Sequence, residues 1–286
     1  MKKIKYFFEF IFVIICFIFF KILGPNISSN LGGKLFEKIG PLFRSKKVIH
    51  SNIKKAIPNI TLQNLNKITN SMWNNYGRTF AEYMFIKNFR EGNLVSNIKI
   101  DGQEILHEIK KNNKQVVFVS GHLGNFELMA MHLEKSGINL SAIYRPLNNI
   151  FLNPIMEKIR KKYICKNQIK KGIGGMRELI KNKKNNLSTA LMIDQRVSEG
   201  ILSDFFNHKA LTTTIPAQMV KKFNTPIVLM SIERIKEMNF KIVIKDPIHF
   251  DDGKSIQEIT DKLNIELEKI INKSPEQWIW SHNRWK

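Results

Sequence analysis

Val116-Val117-Phe118-Val119-Ser120-Gly121-His122-Leu123-Gly124-Asn125-Phe126-Glu127 is the stretch from which the rest of the chain can be read. A β-branched apolar run ends in Ser-Gly, and a histidine follows at once. Glu127 then opens a helical pattern through Leu128, Met129, Met131 and Leu133. This order reads as a buried strand, a tight turn and a helix. In an open α/β sheet, chemistry collects outside the carboxyl ends of strands, which is where this turn lies. Residues five apart on one continuous helix point about 140° apart. With His122 in the turn and Glu127 in the first helical turn, the two can instead converge, and Gly121 and Gly124 give the backbone that freedom. A carboxylate on the far nitrogen of an imidazole fixes its tautomer and stabilises its charged form, which suits general-base catalysis. No Ser or Cys in the turn reads as a nucleophile, so the base would act on a substrate hydroxyl. On spacing alone, a capping histidine and a Glu favoured by the helix dipole explain the pair equally well.

Outward from this turn, strand and helix patterns alternate. Strand-like runs cover 115–120, 140–144, 189–193, 226–232 and 241–244. Helix-like runs cover 127–136, 153–162, 175–184, 215–223 and 255–272. A further helix opens at Thr61 and runs through Trp73, Phe80 and Met84, and a short one fits 103–111. Residues 26–60 read as short helices. The alternation predicts an α/β fold with a mixed, largely parallel central sheet flanked by helices.

Three further polar groups punctuate the pattern. Arg145 follows the second strand and Asp194 the third, so both could share a cleft with His122. Arg suits a phosphate or a developing oxyanion because its fork donates two hydrogen bonds. Each alone is also explained by a strand-end salt bridge. The Gly-rich turn Lys171-Gly172-Ile173-Gly174-Gly175-Met176-Arg177 precedes a helix and could hold an anion, or simply cap it. Asp204-Phe205-Phe206 and Thr212-Thr213-Thr214 read as a loop leading into a helix, with the phenylalanines in the core. The Trp-rich end, Pro275 to Lys286, reads as a docked tail, with membrane contact as the second reading.

Composition bounds the partners. With 46 Lys+Arg against 24 Asp+Glu, the net charge is +22, which permits an anionic or acidic partner. The charge is spread through a Lys-, Asn- and Ile-rich chain without a long basic run or a nucleic-acid recognition module. The only cysteines, Cys16 and Cys165, and the seven histidines show no metal-ligand spacing, so neither metal nor cofactor is expected. Residues 6–23 are almost wholly apolar, close to the roughly 20 residues that cross a bilayer. No alanine occurs before Ala56, so a small-residue cleavage site is missing and residues 1–24 are expected to stay as an N-terminal hydrophobic anchor helix, with the main domain at 25–286. Lysines flank the segment on both sides, with the larger excess after it (Lys34, Lys38, Arg44, Lys46, Lys47). That excess favours a domain on the cytoplasmic side, although a helix lying in the interface fits as well.

Together these blocks resemble the lipid A biosynthesis (lauroyl/myristoyl) acyltransferases, part of the HxxxxE acyltransferase superfamily. The resemblance rests on Gly121-His122-Leu123-Gly124-Asn125-Phe126-Glu127, then in order Tyr144-Arg145-Pro146, the loop from Lys171-Gly172 to Arg177, Asp194-Gln195, Asp204-Phe205-Phe206 with the Thr run, and Pro275-Glu276-Gln277 to Trp280-Ser281-His282-Asn283-Arg284. It implies a glycerol-phosphate-acyltransferase-like fold and transfer of an acyl chain from an acyl carrier protein thioester to a glycolipid hydroxyl, at the cytoplasmic face of the inner membrane, without nucleic acid. It also implies catalytic roles for His122 as base and Glu127 as its orienting partner, with Arg145, Asp194, Asn125, Gly174 and Arg177 binding substrate. Asn207 departs from the pattern, which expects Gly there, and Asn tolerates positive φ. Two other readings compete: an acyltransferase for a lysophospholipid, glycerol phosphate or amino-acid lipid, and a non-catalytic membrane-anchored binder of anionic lipid or nucleic acid.

Overall fold

The computed structural model describes residues 2–286, without the side chains of residues 173–177 and 183. Four helices come first: α1 (Lys2–Leu23), α2 (Pro25–Phe43), α3 (Lys46–Ala56) and α4 (Leu62–Glu82). A short α5 (Ile86–Glu91), β1 (Ile98–Asp101) and α6 (Gln103–Lys111) lead into the alternating region. That region runs β2 (Val117–Ser120), α7 (Glu127–Lys135), β3 (Leu140–Tyr144), α8 (Leu152–Tyr163), β4 (Asn167–Lys170), α9 (Ile173–Lys184) and β5 (Ser188–Met192). The hairpin β6 (Ile201–Phe205) and β7 (His208–Thr212), α10 (Ile215–Phe223), a second hairpin β8 (Ile227–Lys236) and β9 (Asn239–Ile244), and α11 (Ile256–Lys273) complete the chain.

Seven strands form one sheet in the order β1-β9-β8-β2-β5-β3-β4. Every pairing from β8 through β4 is parallel, and β9 turns back antiparallel on β8. The mixed, mostly parallel α/β sheet expected from the alternation is therefore present. Buried strand residues alternate between two cores. Phe118, Val228 and Met230 face one, against α7 and the end of α4. Val117, Val119 and Leu191 face the other, against α10, α11 and the middle of α4. The burial of both faces explains why β2 shows an unbroken apolar run rather than an alternating one.

Two expectations need correction, and two strands were not anticipated. Residues 204–206 and 212 do not form a loop: they lie in the β6–β7 hairpin, which turns at Phe206 (φ +51°) and Asn207 (φ +57°). Two adjacent positive φ values are what a tight hairpin turn demands, and Asn supplies one at the position where Gly was expected. The short edge strands β1 and β4 carry too few apolar residues to register as strands in the sequence. Residues 25–43 are not short pieces but one helix of 19 residues. It lies on α4 along a seam of small residues: a Cβ on Gly77 would fall 2.0 Å from the Gly32 carbonyl oxygen, and one on Gly40 would fall 2.3 Å from the Trp73 ring. Helices approach this closely only where side chains are missing.

Gly24 (φ +78°) separates α2 from α1. A stripe on α1 at helical spacing, from Phe10 through Val13 to Phe17 and Phe20, packs on the domain, and Phe17 and Phe20 are buried. The opposite face, with Phe8, Phe12, Ile15, Phe19 and Ile22, is exposed. The helix is long and apolar enough to cross a bilayer, with a mean hydropathy of 2.4.

Candidate active site

The sheet register decides which carboxylate serves His122. Parallel β2 and β5 pair Ser120 with Met192, and the Ile193 amide donates to the Ser120 carbonyl at 3.0 Å. Two residues beyond that pair, at equal height, stand His122 and Asp194. The His122 Nδ1–H donates to Asp194 Oδ1 at 2.7 Å, and the His122 amide donates to Oδ2, also at 2.7 Å. The Trp278 indole donates to Oδ2 at 2.8 Å, and Trp278 bridges the backbone of Leu123. Asp194 is 1% exposed. Burial alone would raise its pKa, but the adjacent imidazole and these three hydrogen bonds outweigh that and hold it below the ordinary carboxylate range. A buried carboxylate on Nδ1 leaves Nε2 as the nitrogen with a lone pair for substrate.

Glu127, the expected orienting partner of His122, has its carboxylate turned to another residue. It stands at the start of α7, and its carboxylate accepts from Arg160 of α8, at 3.1 Å from Nε and 2.5 Å from Nη2. The turn from Leu123 to Phe126, with Gly124 at φ +50°, carries the chain away from the sheet edge before Glu127 is reached. Arg160 also lies over the Tyr144 ring, 5.8 Å from its centroid. Burial opposes the charge of Arg160, and Glu127 more than restores it, so its pKa is raised.

The other expected positions divide. Both oxygens of Asp194, expected at a substrate, are committed to His122 and Trp278. Asn125 is buried, is not among the residues lining the cleft, and donates to Glu82 Oε2 at 3.0 Å. Arg145 is exposed at the end of β3 and does line the cleft. Gly174 and Arg177 lie outside the residues whose side chains are described.

A cleft of about 540 Å³ opens over this edge of the sheet. His122 and Tyr144 stand at its polar end, with Arg145 and Lys171 beside them. Among the described residues neither cation has an ion-pair partner. Burial lowers the pKa of Lys171, and the nearby Arg145 charge adds to that. The inner wall is apolar, formed by Phe118, Leu133, Ala142, Ile164, Ala190 and Met192 between the sheet and helices α7 and α8. The edge of the Phe126 ring packs on the His122 ring, with centroids 4.7 Å apart.

Behind the turn lies a network that the sequence did not announce. Glu82, fully buried at the end of α4, accepts two bonds from Arg234 of β8, at 2.5 Å and 3.0 Å. Arg234 Nε donates to Asn75, and Asn75 and Thr79 both donate to the Gly124 carbonyl. With the Asn125 bond to Glu82, these contacts clamp the backbone that carries His122. The one available hint was a carboxylate directly after Phe80-Ala81, where the helical pattern called for core. The C-terminal tail is fixed similarly: Asn52 donates to the carbonyls of Trp280 and His282 at 2.8 Å each, and Arg284 is fully buried against the Phe205 ring.

A histidine–carboxylate pair at the polar end of a deep apolar cleft suits proton removal from a hydroxyl beside a bound hydrocarbon chain. A curated relative, lipid A biosynthesis acyltransferase 2 of Shigella flexneri, is 24% identical over 188 residues, covering 63% of this chain and 58% of that protein. The chain thus aligns with less than two thirds of that relative's length. Among solved structures, the 1-acyl-sn-glycerophosphate acyltransferase PlsC from Thermotoga maritima superposes with a TM-score of 0.44 at 14% identity, covering 87% of this chain and 98% of that one. Residues 1–286 match the profile described as bacterial lipid A biosynthesis acyltransferase, and the chain belongs to that family.

Proposed function

We propose that this protein transfers a fatty acyl chain from an acyl carrier protein thioester to a hydroxyl of a lipid A precursor. The observation that carries the reading is the His122–Asp194 pair at the polar end of the cleft, with an inner wall of apolar side chains to take the chain. His122 Nε2 removes the hydroxyl proton as the oxygen attacks the thioester carbonyl. Asp194 stabilises the imidazolium that forms, and Arg145 and Lys171 offset the charge on the tetrahedral oxyanion. Collapse of the intermediate breaks the C–S bond, and the departing thiolate takes the proton back from His122. The Glu127–Arg160 pair shapes the cleft wall between the base and the apolar pocket.

The setting supports the same reading. Acyl carrier protein is acidic, and the net charge of +22 suits such a donor. The exposed apolar face of α1 suits a membrane, and Phe7 and Phe10 pack on Phe151, three residues along the chain from Asn148 of the cleft lining, so α1 would bring the site to a lipid acceptor. With the larger basic excess after α1, the domain would sit at the cytoplasmic face of the inner membrane.

The test is incubation of the purified protein in detergent with acyl carrier protein thioesters and a tetra-acylated lipid A precursor, read by mass spectrometry. A mass gain of one acyl chain, lost in His122→Ala, is expected. Acylation of a lysophospholipid instead would reassign the acceptor, and no transfer to either would overturn the reading.

A further inference from the structure

A second cavity, of about 490 Å³, adjoins the cleft and shares Tyr76, Ser281 and His282 with it. Its other walls come from the end of α2 (Phe36, Phe43, Arg44), from Trp73 of α4 and from Asn283. The general-base site explains none of these residues. Among the described residues, two of these buried donors find no acceptor: Arg44 Nε and the Trp73 indole N–H. A buried donor without a partner costs about 1–3 kcal/mol, so a site that keeps two of them is built for an acceptor-rich ligand. Among the described residues Arg44 has no ion pair. His282 adds a third donor. Its Nε2 accepts from the Arg196 amide at 3.0 Å, which leaves the Nδ1–H to donate elsewhere.

The rest of the lining is Phe36, Phe43 and Tyr76 with the polar Ser281 and Asn283, and the helix end beside it is apolar: Leu42 is 84% exposed and Phe43 68%. Aromatic faces suit sugar rings, an unpaired guanidinium suits a phosphate, and an exposed apolar helix end suits the lipid that carries both. Because the two cavities meet at Tyr76 and His282, a molecule seated in the second one can pass a hydroxyl to His122 while an acyl chain fills the first.

We propose that this second cavity is the acceptor subsite, which takes the phosphorylated sugar of a membrane glycolipid with Arg44 pairing the phosphate. The inference rests on the transferase reading given above. Burial pushes the His282 pKa down to about 4, although Asp194 pulls it the other way, so at neutral pH the ring donates as a neutral imidazole.

The test measures binding and turnover separately on the full-length chain in detergent. The probes are a tetra-acylated glucosamine disaccharide with its phosphates and the same lipid without them. Binding is measured in the His122→Ala background, where no product forms. Arg44→Ala should weaken binding of the phosphorylated probe at least tenfold and Arg44→Lys less, while the dephosphorylated probe binds the same with or without Arg44. In the otherwise unaltered enzyme, Arg44→Ala should raise the acceptor KM by a similar factor and leave the donor KM in place. Equal affinity of both Arg44 forms for the phosphorylated probe would overturn the subsite, as would equal losses with both probes. Phosphate-dependent binding without acyl transfer by the unaltered enzyme would support the subsite and overturn the transferase reading.

Discussion

At the scale of single residues, His122 was legible and its partner was not. Histidine after a Ser-Gly turn at a strand end is a local pattern, visible within the quoted stretch. Asp194 lies 72 positions away and reaches His122 only because β2 and β5 are neighbours in a particular register. Neighbouring order and register are properties of the sheet, and a reading of one segment defaults to the nearest carboxylate, Glu127. The two carboxylates differ in a measurable way. Asp194→Asn keeps the shape but removes the charge that stabilises imidazolium, and should lower kcat by about 10³–10⁴. It should also move the acidic limb of the pH–rate profile, the one set by the general base, to lower pH, because that base loses its counter-charge. Glu127→Gln should leave that limb in place. Its cost should appear as stability, about 3–5 kcal/mol in chemical denaturation, because Arg160 is left as a part-buried cation without a partner. A shifted pH profile in Glu127→Gln and an unshifted one in Asp194→Asn would return the orienting role to Glu127.

At the scale of elements, those with strong local periodicity matched the sequence closely, and those defined by their neighbours did not. The helix at 103–111, the strand at 140–144 and the helix at 215–223 agree with the structure residue for residue. The β6–β7 hairpin was missed because its turn is Phe206-Asn207, without the glycine that usually marks such a turn. Helix α2 was read as short pieces because Gly32, Gly33, Gly40 and Pro41 look like breaks in isolation. They are instead the contact surface that lets α2 lie against α4. Gly77→Ala tests this. In an exposed helix interior the change would stabilise by about 1 kcal/mol. Here the new methyl would meet the Gly32 carbonyl oxygen, a backbone atom that cannot rotate away, so a net loss of about 1–3 kcal/mol is expected in thermal or chemical unfolding. A gain would mean that α2 does not lie on α4 as described. Because Asn75 and Thr79 on the same helix hold the Gly124 carbonyl, loosening this seam should also lower activity.

At the scale of the whole molecule, the same burial that builds the site makes its stability depend on pH. His132 on α7 and His282 between the two cavities are both held neutral. Burial pushes each pKa from 6.5 down to about 4, helped at His132 by Lys135, and at His282 opposed by Asp194 and helped by His122, Arg284 and Lys171. In the unfolded chain both rings take up protons near pH 6.5, so the unfolded state binds more protons below that point. Stability from these two groups is therefore fully present above pH 6.5 and is lost as pH falls toward 4. Each ring is partly reached by solvent, which reduces the nominal effect to on the order of 1–2 kcal/mol per histidine. The buried carboxylate Asp194 acts in the same sense but in a lower window, since its lowered pKa keeps its contribution until pH falls below the ordinary carboxylate range. Between pH 6.5 and 4.5 the histidines should thus dominate the slope. Unfolding in detergent at pH 6.5, 5.5 and 4.5 should show stability falling by about 1–3 kcal/mol across the window, and the combined His132→Gln, His282→Gln variant should lose most of that slope. Gln at 132 keeps a polar partner for Gln103, and Gln at 282 keeps an acceptor for the Arg196 amide, so the variant removes the titration while leaving the hydrogen bonds a substitute. A slope unchanged in the double variant would place the acid sensitivity in the surface charge of this +22 chain, where it would weaken with added salt. A buried histidine beside Asp194 predicts instead a slope that salt barely alters.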